Sequence, residues 1–361
     1  MKTDSDLLTQ LLEIPSETRD VAQCNRATQR MREYLEAHGL SCTVENLQDR
    51  AFLCAATTPG KVHDYLFNAH LDVVPASPEL YRPRVEGDKL FARGSSDCKG
   101  AAVAIAQTLC ALAGRADVGA VFSSDEETGG ATSAEAVRLG YDARKMIGVI
   151  DSAPYMITTA HKGILDLRLV GRGKNAHSSL PWAGQNAIDR LLDGYAKLRA
   201  AWPKNAPGPD GSEGFDTYSA VSIGGGTAHN KVPDEASLLV NVRYTTPDGE
   251  DRIERFVRET TGLEVVREMC CQPFVCDENE PVFARLAAVM RRAWPDKNVG
   301  FVRMNGATDA RHFGRSKAPV AVLGIEGGAC HTDAEWVGIA GIGQMADVLC
   351  ELCLDGPCSP A

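Results

Sequence analysis

Apolar residues recur every three to four positions over residues 5–16 and 21–39, the period of helices that bury one face. Gly39 stands where the second helix would need a C-cap. The pattern then changes. Residues 43–45 and 50–56 read as strands, and 65–69 is a short unbroken apolar run, as expected of a buried strand. A loop from Pro75 to Pro83 and a short strand at 89–92 lead into the glycine-bounded loop 93–100, which feeds a helix over 101–113. Strands at 119–123 and 145–150 run out into Ser124-Asp125-Glu126-Glu127 and into Asp151. Strands alternating with helices, with polar residues at the strand C-termini, predict a doubly wound α/β fold around a mixed sheet.

After His161-Lys162-Gly163 the elements follow a second rhythm. An alternating strand at 164–170 precedes a helix over 183–202 and a Pro/Gly-rich loop at 203–214. Strands at 218–223 and 236–244, a helix over 249–259 and a strand at 263–268 complete the order β-α-β-β-α-β, the ferredoxin-like α+β arrangement. From residue 270 helix and strand alternate again, with a helix at 281–293, a strand at 319–323 and a last helix at 341–353. The expectation is a discontinuous first domain, residues 1–163 and 270–361, with a second domain, 164–269, inserted into it.

Composition narrows the partners. At 361 residues, 44% hydrophobic and 24% charged, the chain has ordinary globular composition. A net charge of −10 counts against nucleic acid or an anionic membrane as partner. No apolar run reaches the roughly 18 residues of a membrane span. The N-terminus is polar and enters an amphipathic helix at once, unlike a signal peptide. Twelve cysteines are scattered without zinc-finger spacing, so reduced thiols in a cytoplasmic protein are expected. Cys350-x-x-Cys353 falls in a helical pattern and reads as core. Cys98 and Cys330, beside candidate ligands, read as small buried hydrophobes.

The candidate chemistry centres on Leu66-Phe67-Asn68-Ala69-His70-Leu71-Asp72-Val73-Val74-Pro75. Side chains on a strand alternate, so His70 and Asp72 face the same way. Asp72 is placed to receive the second ring N–H of a ligating histidine, or to hold the ligand geometry nearby. Asp97, Glu127, Asp151 and His331 are further ligand-type residues, most of them at or near the end of an apolar run. Two imidazoles and three carboxylates suit two divalent ions, zinc first, with cobalt or manganese fitting the same donors. Two ions need one bridging carboxylate, and Asp97, on a helix-capping loop, is the candidate. Each ion then takes one histidine and one further carboxylate. Adjacent side chains at a strand end diverge. If Glu127 is a ligand, Glu126 is free to take a proton from a metal-activated water and pass it to a leaving amine.

These residues and the motifs around them resemble the dinuclear zinc deacylase and exopeptidase family that includes acetylornithine deacetylase, succinyl-diaminopimelate desuccinylase, aminoacylase and carboxypeptidase G. The matching pieces run from His70-Leu71-Asp72 through Arg93-Gly94-Ser95-Ser96-Asp97-Cys98-Lys99-Gly100, Asp125-Glu126-Glu127 and Asp151. They continue through Ala176-His177-Ser178-Ser179, Asn230-Lys231-Val232-Pro233 and Thr308-Asp309-Ala310-Arg311 to His331-Thr332-x-x-Glu335. The resemblance implies His70 and Asp151 on one metal, Glu127 and His331 on the other, Asp97 between them, and Glu126 as general base and acid. It implies that the inserted domain is a dimerisation or lid domain. His177 would reach the partner subunit's site in a homodimer and stabilise an oxyanion there. Asn230 and Arg243 would bind the substrate's carboxylate or carbonyl, and Gly306-Ala307-Thr308 would form another wall of the pocket.

Within that family two features point in different directions. Desuccinylases carry Arg-Arg-Gly-Ser where this chain has His161-Lys162-Gly163-Ile164, and acetylornithine deacetylases are closer to it. Against this, the terminal metal carboxylate is Asp151, as in the family's di- and tripeptidases, where deacylases usually have Glu. The expectation is a small N-acyl amino acid as substrate, in the manner of acetylornithine deacetylase, with a short peptide, or the substrate of a succinyl-diaminopimelate desuccinylase, as the alternatives.

Overall fold

The computed structural model describes residues 1–202 and 215–354, so the loop expected at 203–214 lies outside the described residues. By internal contacts the described residues form two units. One comprises Met1–Ala160, Cys276–Val302 and the residues from Thr308 onward; the other comprises His161–Val275 with Arg303–Ala307. The second unit is therefore wider than 164–269, because the sheet strand begins at Gly163 and the strand at its other end runs on to Cys271.

In the first unit the opening helix spans Ser5–Leu12, shorter than its apolar period, because the residue before Pro15 disfavours helix. Asp4 and Asp20 cap the first two helices by accepting the amide N–H of Leu7 and Gln23. Gly39, with φ +77°, follows the helix Val21–Ala37 in the left-handed conformation expected of a C-cap glycine. The sheet strands lie in the order Ser41–Leu47, Arg50–Ala56, Val118–Ser123, Val62–His70, Asp142–Pro154, Val320–Gly324, Met156–His161. Val62–His70 runs parallel to both of its neighbours, and Val320–Gly324 runs parallel to Asp142–Pro154. The flanking pairs are antiparallel, so the sheet is mixed. Helix Gly100–Leu112 is nearly all small or aliphatic and packs in the core with helix Ile339–Cys353, which contains Cys350 and Cys353.

Register places the chemistry. His70 pairs with Ser123 and Leu323 with Ile150, so the parallel strands finish at one edge of the sheet. Ligand-type residues gather there, as the rule for open α/β sheets requires. The assigned strand continues past Asp151, but its pairing slips between Ile150 and Pro154, which sets Asp151 in an irregular stretch. A small antiparallel sheet joins Gly327–Gly328, Trp336–Gly338, Lys89–Phe91 and Arg84–Glu86. It brings the loop after Phe91, which carries Asp97, beside the loop that carries His331.

The second unit has a four-stranded antiparallel sheet in the order Thr217–Gly225, Glu235–Tyr244, Gly163–Arg172, Glu264–Cys271. Helices Ala187–Ala201 and Glu250–Thr261 cover one face, burying Leu165, Leu167, Leu169, Val240 and Val242. This is the ferredoxin-like arrangement. The first helix starts at Ala187 rather than 183 because Asn186 caps it, its side chain accepting from the Ile188 N–H.

Candidate active site

Asp97 stands between two imidazoles. Its Oδ1 lies 2.8 Å from His70 Nε2 and its Oδ2 lies 3.1 Å from His331 Nε2, while His331 Nε2 is 3.2 Å from Glu127 Oε2. Ligand atoms of His70, Asp97 and Glu127 lie within 4.8 Å of one another, and so do those of His70, Cys98 and Asp151. The five ligand candidates thus share one site. Glu127 Oε1 is buried without a hydrogen-bond partner, which a cation would supply. Charge makes the same point. Burial, reinforced by the neighbouring Asp97 charge, pushes the Asp151 carboxyl up to about 7. The hydrogen bond to Asp97 raises His331 to about 9. Burial opposes ionisation of Asp97, but hydrogen bonds from His331 and His70 hold its carboxyl well below the usual carboxylate range. A carboxylate-rich pocket that holds protons in this way has the donor set for divalent ions.

Asp72 turns out to do the second of its two expected jobs. His70 Nδ1 lies 2.9 Å from the Asp72 main-chain oxygen and 3.4 Å from its carboxylate, so the ring N–H donates to the carbonyl. The fully buried Asp72 carboxylate accepts from Thr18 Oγ1 at 2.7 Å and from the N–H groups of Glu126 at 3.1 Å and Glu127 at 3.3 Å. It positions the acidic turn and is not itself a group that meets a substrate. Glu126 projects from that turn, and burial together with the Asp309 charge raises its carboxyl well above the ordinary value. Gly130, at φ +64°, lets the turn pass close to Asp309; a side chain there would overlap the Asp309 carboxylate.

A clamp that the sequence reading did not identify ties two ligand loops together. Glu335 Oε1 accepts the N–H groups of Ser96 and Asp97, each at 3.1 Å, while Oε2 accepts from Arg93 Nη1 at 2.6 Å. The Glu335 and Arg93 side chains are 2% and 3% exposed. Both residues lie in the quoted motifs, but only the pairing of Trp336 with Phe91 reveals that they meet. The Asp97-Cys98 peptide bond is cis. Cys98 is buried as expected, its Sγ accepting the His70 main-chain N–H at 3.1 Å, whereas Cys330 is exposed, contrary to the expectation of a buried hydrophobe.

His177, Asn230, Arg243 and Gly306 belong to the second unit. His177 and Asn230 come together there. His177 pairs with Lys231, Ser178 N donates to the Asn230 carbonyl at 3.0 Å, and His177 Nδ1 accepts from Ser179 Oγ at 2.8 Å. Arg243 Nε donates to Asn241 Oδ1 at 3.1 Å on the strand Glu235–Tyr244. Thr308 is buried in the first unit, its Oγ1 accepting the Ala310 N–H at 3.2 Å. Among the described residues, no helix is long and apolar enough to cross a membrane, and the eleven cysteines are free.

The sequence profile of Peptidase family M20/M25/M40 matches residues 66–355. A probable succinyl-diaminopimelate desuccinylase of Staphylococcus aureus is 29% identical over 290 residues, 68% of this chain and 70% of that one. The succinyl-diaminopimelate desuccinylase of Thioalkalivibrio sulfidiphilus is 25% identical over 311 residues, 78% of this chain and 81% of that one. Among solved structures, a tripeptidase of Staphylococcus aureus superposes with a TM-score of 0.77 at 20% identity, covering 97% of this chain and 96% of its own. An M20 family metallo-carboxypeptidase of Sulfolobus solfataricus gives 0.78 at 16% identity, covering 98% and 99%. At these identities the structural likeness establishes the fold. The profile spans most of the chain and bears out the resemblance carried by the motifs: the protein belongs to peptidase family M20/M25/M40 and is a metal-dependent hydrolase of amide bonds.

Proposed function

We propose that the chain releases an amino acid from a small N-acyl amino acid, using two zinc ions. His70 and Asp151 would hold one ion and Glu127 and His331 the other, with Asp97 available to both. The observation that carries the reading is Asp97, with one oxygen on each imidazole. When bound, the ions activate a water and polarise the scissile carbonyl. Glu126 takes a proton as the amide is attacked and delivers it to the leaving nitrogen. Burial and the Asp309 charge raise its carboxyl well above the ordinary value, which makes it a stronger proton acceptor than a free glutamate. Asp72 keeps Glu126 and Glu127 in register through their backbone N–H groups.

On the strength of the motif resemblance, His177, Asn230 and Arg243 serve as oxyanion and carboxylate donors, and Gly306 and Thr308 as substrate-contacting residues. His177 acts from the partner of a cytoplasmic homodimer built through the domain at residues 164–269. The edge strand Thr217–Gly225 supports this assembly, since its outer half is exposed and carries Val221 and Ile223 at 55% and 60% exposure. An exposed apolar edge is a pairing surface. The opposite edge also exposes Val266 and Met269, but there Glu264, Arg267 and Glu268 are held in ion pairs.

A succinyl group is disfavoured at position 161. The His161 ring is buried against Phe274 at 5.5 Å, with Nδ1 3.2 Å from the Lys162 carbonyl, so it is poorly placed to serve as the cation that a second carboxylate needs. Asp151 keeps a short peptide as the second reading. An amine-release assay on the zinc-loaded protein separates them. The panel sets N-acetylornithine and other N-acetyl amino acids against N-succinyl-diaminopimelate, dipeptides and tripeptides. Turnover confined to free-amine peptides would show that Asp151 was the better guide.

A further inference from the structure

A buried guanidinium stands behind Glu126. The Arg311 side chain is 5% exposed, and its Nη1 lies 3.7 Å from Glu126 Oε1 while donating to the Thr308 carbonyl at 2.8 Å. Its Nη2 lies 3.8 Å from Asp309 Oδ1, and its Nε has no hydrogen-bond partner. Asp309 is itself held firmly. It is 1% exposed, and its Oδ2 accepts from Ser123 Oγ at 2.8 Å and Ser133 Oγ at 2.6 Å. Ser123 closes the strand beside His70, so this anchor belongs to the same sheet edge as the metal ligands.

We propose that Arg311 is the positioning residue for Glu126, braced from behind by Asp309. The proposal deepens the function above and rests on Glu126 as the proton carrier. A carboxylate at the end of three rotatable bonds has many stances, and a general base must be held within about 0.5 Å of the productive one. A rigid cation flanked by two carboxylates selects one stance. Arg311 cannot swing away without giving up its 2.8 Å hydrogen bond to the Thr308 carbonyl and its approach to the buried Asp309 carboxylate. The braced order is Ser123 and Ser133, then Asp309, Arg311 and Glu126.

The test uses the full chain loaded with zinc and compares Arg311→Met, Arg311→Lys and Ser133→Ala with the wild type. Metal content and thermal melts check each protein. The expectation for Arg311→Met is a kcat lower by about 10²-fold, the low end of what a positioned base supplies, with KM little changed and two metals retained. Arg311→Lys, which keeps a cation near Glu126, recovers part of the loss, and Ser133→Ala lowers kcat more mildly. Crystal structures give a readout independent of turnover, with the Glu126 carboxylate displaced in Arg311→Met and held in Arg311→Lys. Three results would overturn the proposal. One is a raised KM at unchanged kcat, which would make Arg311 a substrate anchor. The others are a folded, metal-replete Arg311→Lys as slow as Arg311→Met, and a Glu126 that does not move. If Arg311→Met fails to fold, Arg311→Lys and Ser133→Ala decide; an unaltered kcat in Ser133→Ala then refutes the bracing. A wild type that turns over no amide refutes the functional reading instead, and the position of Glu126 in the crystals still judges Arg311.

Discussion

Replacing Glu335 by Gln should damage stability and metal affinity by separable routes. The carboxylate compensates Arg93 at 2.6 Å and receives the N–H groups of Ser96 and Asp97, in a place that water scarcely reaches. Glu335→Gln leaves the Arg93 charge buried and unpaired, a loss of about 3–5 kcal/mol when one partner of a buried pair is removed. It also loosens the loop that aims Asp97, and disturbing a ligand's outer hydrogen bonds costs about 10–100-fold in metal affinity. The double variant Glu335→Gln with Arg93→Met removes the stranded charge and should recover most of the stability. Metal affinity should not recover, because the Asp97 backbone still lacks its anionic anchor. Stability is measured by denaturant unfolding of chelator-treated protein, which removes the contribution of bound metal, and affinity by competition with a zinc chelator. The reasoning fails if metal-free Glu335→Gln is as stable as the wild type, or if the double variant regains wild-type zinc affinity.

Glu126→Gln should abolish turnover, by about 10²–10⁴-fold in kcat, while two metals remain bound by elemental analysis; substantial activity would mean another group carries the proton. In the metal-free chain, burial raises Asp151 from 3.8 to about 7, so the folded state keeps a proton that the unfolded state has lost. Stability should therefore fall as pH rises from about 4 to 7; above that, the raised His331 continues the same sign while the buried Lys99, depressed to about 7, opposes it. Zinc takes the place of those protons, so the rise in Tm on adding zinc should grow over the same range; a flat metal-free profile would count against this account. Ile223→Glu, at the exposed apolar edge, should give monomers in sedimentation and lose activity with the first domain's metals intact. An active monomer would remove the role of His177 in trans.

The local elements were legible because side-chain periodicity is a property of a few neighbouring residues. The helix at Pro281–Ala293 and the strand at Arg50–Ala56 fall where the apolar pattern puts them. The ligand candidates drew attention too, since most of them, His70 and Asp151 above all, stand at or near the end of an apolar run, where a polar group needs something to bind it. What the linear pattern cannot contain is partner choice. Glu335 meets Arg93 across 242 positions, and Asp309 meets Ser123 across 186. Those contacts depend on sheet order and register, which the whole core selects together. Asp72 shows the difference most directly. Its alternation with His70 was visible in the sequence, but both strand-end carbonyl and carboxylate were available to the ring. Only the approach of the Glu126 turn, brought there by the parallel pairing of Val62–His70 with Val118–Ser123, commits the carboxylate to backbone N–H groups and leaves the carbonyl to the histidine.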